Sequence, residues 1–517
     1  MMEIVLLGVP VMIVIWVAII VNWRWGVIGL AWYTPFTGPI IVAMYPSPLG
    51  TLMRDVLVVV PLYISYFLLA GSPNAKRVPV QVVAVYGALL LLVLISLTKP
   101  TVPNFLVAGI GAKVWLFYVP LLFIGSGFAR NEFELRSVLR AILVTGWGVW
   151  LVGLAMIIGA ITVGYETTMT FFYGDYAKNV MGEFYYMGAY LYRITGSFQY
   201  NSQYGVFCWY MLFPLAMLME LETSRGWRMF LWASLGVAMI CGFSSGARGN
   251  FLFMPMVMIL IQMFRMKSKG MIWNMIVVVG GLGLFLAISG LDGANMASEV
   301  ASLTSVYGRE FAAQGILDAV AKGGLFGLGS GTNTGAARHG LDLSDLAYQA
   351  DGGAFIENFY GKAIVELGVL GFFVMLGCYG MLFLYCLQIR AQMKLERFKN
   401  IASVACAMIA FCAVVSFKGW TLDVDPMNYY FYLTIGLVLG LPYVERAALQ
   451  YDAARRIAHV PVAPQSWAPG APRPIYHVRR PVRWAKPVPG RRMGVRSPAE
   501  PGGRPFGDGR NSPDRSE

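Results

Sequence analysis

Three arginines and one carboxylate stand where long apolar runs give way to polar segments, and those four positions carry most of the chemistry this chain offers. The first arginine lies in Tyr192-Arg193-Ile194-Thr195-Gly196-Ser197-Phe198-Gln199-Tyr200-Asn201-Ser202, just before an apolar run. A guanidinium at that depth is costly unless it meets an anion, so Arg193 is either a phosphate ligand or half of a structural ion pair. The second lies in Gly242-Phe243-Ser244-Ser245-Gly246-Ala247-Arg248-Gly249-Asn250, which joins two apolar runs with almost no loop. That turn puts Arg248 at the opening of a helix, where free backbone N–H groups and a fixed cation suit a diphosphate. The plainer reading is a tight turn with a snorkelling arginine.

A longer polar stretch contains Ser305-Val306-Tyr307-Gly308-Arg309-Glu310, which opens an amphipathic helix running to about Lys322. After it comes the glycine run Gly323-Gly324-Leu325-Phe326-Gly327-Leu328-Gly329-Ser330-Gly331. It lacks the Gly-Lys-Ser/Thr ending of a phosphate-binding loop, so it reads as a close backbone approach or a turn. The stretch closes on Ile356-Glu357-Asn358-Phe359-Tyr360, which places Glu357 and Asn358 at the mouth of the next apolar run. A partly buried carboxylate there is a candidate general base, and equally a partner for Arg193, Arg248 or Arg309. Glu366, nine residues on, reads as deeper and structural. His339 is the one histidine outside the C-terminal tail, and in a polar segment it is more often solvated than catalytic. No metal-ligand spacing surrounds it, since Asp342, Asp345 and Asp351 are scattered; metal-independent chemistry without a cofactor is expected.

The elements that must hold these residues are membrane helices. The 517 residues are 57% hydrophobic and 13% charged, against roughly 25% charged in soluble domains. Runs long enough to cross a hydrocarbon core, which takes about 20 helical residues, recur near 4–21, 26–45, 56–70, 82–97, 114–128, 141–163, 204–219, 229–243, 251–264, 271–288, 361–387, 401–415 and 429–444. The chain therefore predicts an all-α polytopic membrane protein of about twelve or thirteen transmembrane helices, residues 1–447, with a large outer loop bearing short helices. The N-terminal run begins with Glu3 and leads into Arg24 without a cleavage site, so it reads as a first span and not a signal peptide. Lys and Arg fill every second loop, through Arg24, Arg77, Arg130 to Arg140, Arg225, Arg265 and Arg390 to Lys399, which predicts that those loops and the tail are cytoplasmic. The long loops 164–203 and 289–360 then face outward, where function concentrates. The +13 net charge follows this loop pattern and the tail, so nucleic-acid binding is not expected. Residues 448–517, rich in Pro, Arg and Gly, read as a disordered basic tail. All six cysteines fall within the spans and predict neither disulfides nor zinc.

The order of these pieces resembles the O-antigen ligase and Wzy-type polymerase superfamily: Arg-Ile-Thr-Gly-Ser-Phe, Ser-x-Gly-Ala-Arg-Gly, Tyr-Gly-Arg, Gly-x-Gly-Ser-Gly, then Glu-Asn-x-Tyr with Glu-Leu-Gly-Val-Leu-Gly-Phe, spanning roughly 193–373. The resemblance implies a GT-C-like glycosyltransferase of the bacterial inner membrane. It would take a glycan from undecaprenyl diphosphate on the periplasmic face and pass it to a sugar hydroxyl, beside partners such as a flippase or chain-length regulator. By the same resemblance Arg193 and Arg248 would hold the diphosphate, and Arg309 matches the Gly-Arg arginine. Glu357 would serve as base, with Tyr307, Asn358, Asn201 and His339 around the substrate. Ligases usually carry His-Asn where this chain has Glu357-Asn358, which favours a polymerase of O-antigen or exopolysaccharide repeats over a lipid A-core ligase. A rival of another class is a lipid-linked sugar flippase or polysaccharide transporter. Such proteins commonly combine internal repeats with broken helices, a pattern the sequence does not display. A scaffold acting through the basic tail is a third reading.

Overall fold

The computed structural model describes residues 2–44, 49–177, 183–186, 189–247, 249–265, 280, 314–334, 356, 358–419, 422–424 and 426–458. Backbone groups in hydrocarbon find partners only within their own helix, so the apolar runs fold as helices. In chain order they are α1 (Met2–Val21), α2 (Trp23–Ala43), α3 (Leu52–Leu69), α4 (Val80–Leu97), α5 (Phe105–Phe128), α6 (Glu132–Thr162) and α7 (Tyr165–Tyr173). A two-stranded antiparallel hairpin follows, β1 (Glu183–Tyr186) and β2 (Ala189–Tyr192), with Glu183 opposite Tyr192. Then come α8 (Asn201–Leu221), α9 (Arg225–Ser244), α10 (Asn250–Arg265), α11 (Gln314–Gly323), α12 (Phe359–Gln392), α13 (Glu396–Val415), α14 (Met427–Leu439) and α15 (Leu441–Ala458). The protein is an all-α polytopic membrane protein, the hairpin being the one β element among the described residues.

Among the described residues nine helices are long and apolar enough to cross a bilayer, and α14 with α15, bent by 46°, make a tenth if they form one broken span. Two shorter apolar helices, Pro10–Val21 within α1 and Asn250–Arg265, match further predicted runs. Of the run at 271–288 only Gly280 is among the described residues. Helix α15 continues past the boundary expected at residue 447, because 448–458 holds Ala, Leu, Gln and Arg with no proline or glycine to stop it. The compact unit is accordingly Met1–Ala458, and the basic tail beyond it lies outside the described residues.

The basic loops meet at one end of the bundle. Arg24 pairs with Glu134 at 2.7 Å, Arg397 with Glu132 at 2.9 Å, Arg140 with Glu222 at 2.6 Å and Arg265 with Glu220 at 3.4 Å. Arg77 donates to the Ser126 and Ala129 carbonyls, and Glu445 accepts the N–H groups of Lys394 and Leu395. The alternation of charge along the sequence thus becomes a set of acid–base contacts at this basic end. Between the ends the helices close on small residues. Gly125 of α5 and Gly436 of α14 let the two backbones touch, since a Cβ on either would come within 2.5 Å of a carbonyl oxygen on the other helix.

Candidate functional site

At the opposite end, the segment that follows β2 is wound into the bundle. Thr195, Ser197 and Phe198 are buried, and Gly196 takes a positive φ of 57° against the Tyr204 ring. The Tyr173 hydroxyl of α7 lies 2.5 Å from Thr195 Oγ1, 2.9 Å from the Gly196 carbonyl and 2.7 Å from that of Phe198. Burial pushes the pKa of that hydroxyl up, so it remains a donor. Ser197 Oγ donates to the Pro35 carbonyl at 2.6 Å, and Tyr165 Oη to the carbonyl of Arg193 at 3.0 Å. Most of the Arg-Ile-Thr-Gly-Ser-Phe motif is therefore a packed loop that fixes the backbone of Arg193, whose side chain is half-buried.

That loop is tied to the turn between α9 and α10. The Ile194 N–H donates to the Ser244 carbonyl at 3.4 Å, and Asn201 Nδ2 to that of Ser245 at 3.3 Å. The turn is braced from within: Ser245 Oγ and Asn250 Nδ2 both donate to the Gly242 carbonyl, at 2.7 and 2.9 Å, and Gly246 takes φ 68°. Beyond it, the Lys418 ammonium sits 5.5 Å from the centre of the Phe253 ring and 3.3 Å from where a Cβ on Gly249 would lie. Lys418 belongs to the segment after α13, whose Ser416 carbonyl accepts the Phe359 N–H at 3.1 Å. Asn358, expected to bind substrate, caps α12, its Oδ1 accepting the Gly361 N–H.

Helix α12 is broken. Gly368 takes φ 83° and ψ −179°, separating a short helical piece, residues 359–367, from the long remainder. A break in a membrane helix frees backbone groups that must find other partners. The glycine run supplies them: Leu328 and Gly329 donate to the Val365 and Glu366 carbonyls at 2.6 and 3.0 Å, while Val369 donates to the Gly324 carbonyl at 3.1 Å. Such contact requires glycine, since a Cβ on Gly327 would come within 2.5 Å of the Glu366 backbone and one on Gly368 would run into the Leu325 carbonyl. Both readings of the run are realised: Gly324, Gly327, Gly329 and Gly331 turn the chain at positive φ, and Gly327 lets it approach the α12 backbone closely. Glu366 is fully buried and clamps the loop, accepting Trp115 Nε1 at 2.7 Å, the Asn333 N–H at 2.9 Å and Thr334 Oγ1 at 2.8 Å. Its structural reading holds. Outside the spans, Lys99 donates to the Gly327 carbonyl at 2.7 Å, and burial lowers its pKa.

Two ionic clusters that the sequence reading left aside lie beside this break. Lys362, with no exposed side-chain surface, pairs with Asp423 and stands 5.5 Å over the Trp115 ring, which itself packs 5.3 Å from Phe359. Two residues back on α5, Lys113 pairs with Asp55 of α3. Arg54 Nε lies 3.4 Å from Asp55 Oδ1, and its guanidinium stands 4.5 Å over the Tyr429 ring. The Tyr118 and Tyr429 hydroxyls reach the same carboxylate oxygen at 3.3 and 3.4 Å. For Asp55 and Lys113 the signal is position: the apolar runs at 56–70 and 114–128 begin immediately after them, whereas α3 and α5 begin at Leu52 and Phe105.

Of the residues singled out from sequence, Arg193, Asn201 and Asn358 are described, on segments linked through 244–245 and 416–418. Arg248, Tyr307, Arg309, His339 and Glu357 lie outside the described residues, although the neighbours of Arg248 and Glu357 belong to the same set of contacts. Among the described residues no three His, Cys, Asp or Glu side chains are placed to share a metal ion. No protein-family model matches the chain, and no curated protein matches its sequence.

Proposed function

We propose that this chain is a metal-independent, inverting membrane glycosyltransferase that moves a glycan from undecaprenyl diphosphate to a sugar hydroxyl, as a polymerase of O-antigen or exopolysaccharide repeats or as an O-antigen ligase. The observation that carries the reading is the meeting, at the end opposite the basic loops, of the segments bearing Arg193, Arg248 and Glu357. In the proposed reaction the acceptor hydroxyl attacks the anomeric carbon and its proton passes to the Glu357 carboxylate. The bond from that carbon to the phosphate oxygen breaks, and the diphosphate leaves with the electron pair. Guanidinium groups held at a poorly hydrated boundary would favour this charge-separating step, because they would not need to reorganise as it proceeds. On this reading the end with the broken helix faces the periplasm of a bacterial inner membrane, and the basic loops face the cytoplasm.

The test is reconstitution of the full chain in liposomes with a lipid-diphosphate glycan. Longer or transferred glycans should form, and Arg248→Ala should abolish them. A second reading, a lipid-linked sugar flippase, gains weight from the break at Gly368 and the ionic clusters beside it, since transporters build their sites at such breaks. Movement of lipid-linked sugar across the liposome without product would favour that reading.

A further inference from the structure

Helix α11 presents three stripes. Ile316, Ala319 and Gly323 face the short piece of α12, where Ala319 packs with Ile364 and Val365. Asp318 and Lys322 form a polar stripe, whereas Leu317, Val320 and Ala321 form an exposed apolar one that continues into Leu325 and Phe326. Leu317 is 62% exposed, Leu325 55% and Phe326 61%, although α11 is too short and too polar to span a bilayer. Apolar surface of this extent beside a polar stripe is the pattern of a helix lying in a membrane interface.

We propose that the Gln314–Phe326 segment docks into the bilayer leaflet at its end of the bundle, with Leu317, Val320, Leu325 and Phe326 against lipid acyl chains. Continuity with the lipid-facing surface selects lipid as the occupant. The Leu370 N–H donates to the Leu325 carbonyl at 3.4 Å, so the turn lies alongside the first residues of the long part of α12, whose Phe373 is 62% exposed. On the other side Lys99, two residues past the end of α4, donates to the Phe326 and Gly327 carbonyls. A lysine just past the end of a span marks the depth of the headgroups, and Phe326 sits at that level. Docked in this way, the segment holds the glycine run at the membrane boundary, independently of which reaction the protein performs.

Site-directed spin labelling of the full chain in phosphatidylethanolamine–phosphatidylglycerol liposomes tests this. Single cysteines replace Leu317, Val320, Phe326 and Asp318 in turn, with unsubstituted protein as background, because the six native cysteines are buried. Labels at Leu317, Val320 and Phe326 should collide with oxygen several-fold more, relative to a water-soluble nickel chelate, than the label at Asp318. Equal preference for the chelate at all four positions would overturn the proposal. So would protection of the three apolar positions from both reagents, which would mean that protein covers the stripe.

Discussion

The two ends of the bundle handle charge differently. At the basic end, arginines from successive loops meet glutamates at the edge of the helices, and the pairs of Arg24 and Arg397 keep both side chains in contact with solvent: Arg24 and Glu134 are 18% and 23% exposed, Arg397 and Glu132 35% and 21%, while Glu222 and Arg265 in the neighbouring pairs are 2% and 8% exposed. At the other end, Lys362 and Asp423 are 0% and 8% exposed, and Arg54 and Asp55 4% and 6%. Ion pairs open to water contribute roughly 0–1 kcal/mol, whereas charges withdrawn from water cost several kcal/mol each before pairing. The basic end therefore reads as anchorage, bought cheaply. The opposite end keeps costly groups next to a broken helix, an arrangement that stability alone does not favour and that membrane proteins hold for function.

The largest effect expected from breaking this contrast is at Lys362→Ala, which strips Asp423 of its ammonium and should cost about 3–5 kcal/mol, read as loss of folded protein in detergent. The double variant Lys362→Met with Asp423→Leu should recover much of that loss, because no unpaired charge remains. Gly368→Ala forces a side chain into a positive-φ position and against the Leu325 carbonyl, for about 2–4 kcal/mol, seen as a lower thermal midpoint. Glu366→Gln turns an amide NH2 toward the N–H of Trp115 or of Asn333, each of which can only donate, and should cost about 1–3 kcal/mol. At the basic end Arg397→Ala should cost about 1 kcal/mol or less, with the loss shrinking further in high salt. A large loss at Arg397, or none at Lys362, would break the comparison.

Much of the fold was legible because its cause is local. Twenty apolar residues in a row have one way to satisfy their backbone in lipid, and Lys and Arg in alternate loops predicted the single basic end that Arg24, Arg140, Arg265 and Arg397 form. The site was legible only as motifs. The motifs do not show that Thr195 packs against Tyr173, that Ser197 ties to Pro35 or that Asn358 caps the helix at Gly361, because those partners, except Gly361, stand at distant places along the chain. The buried ions escaped for the opposite reason. Hydropathy marks a charge as the end of a span and so leaves Asp55 and Lys113 just outside the runs at 56–70 and 114–128; only the pairing of α3 with α5 shows how both stay inside. The broken helix needed Gly368 and the distant glycine run to be seen together.

Elongation of a lipid-diphosphate glycan in liposomes, measured on Glu357→Gln beside Arg397→Ala, tests most directly the proposal that the end opposite the basic loops performs glycan transfer. A general base contributes roughly 100-fold or more, so Glu357→Gln should elongate at least about 100-fold more slowly with an unchanged thermal midpoint, while Arg397→Ala works at the wild-type rate. Undiminished elongation by Glu357→Gln would contradict the claim.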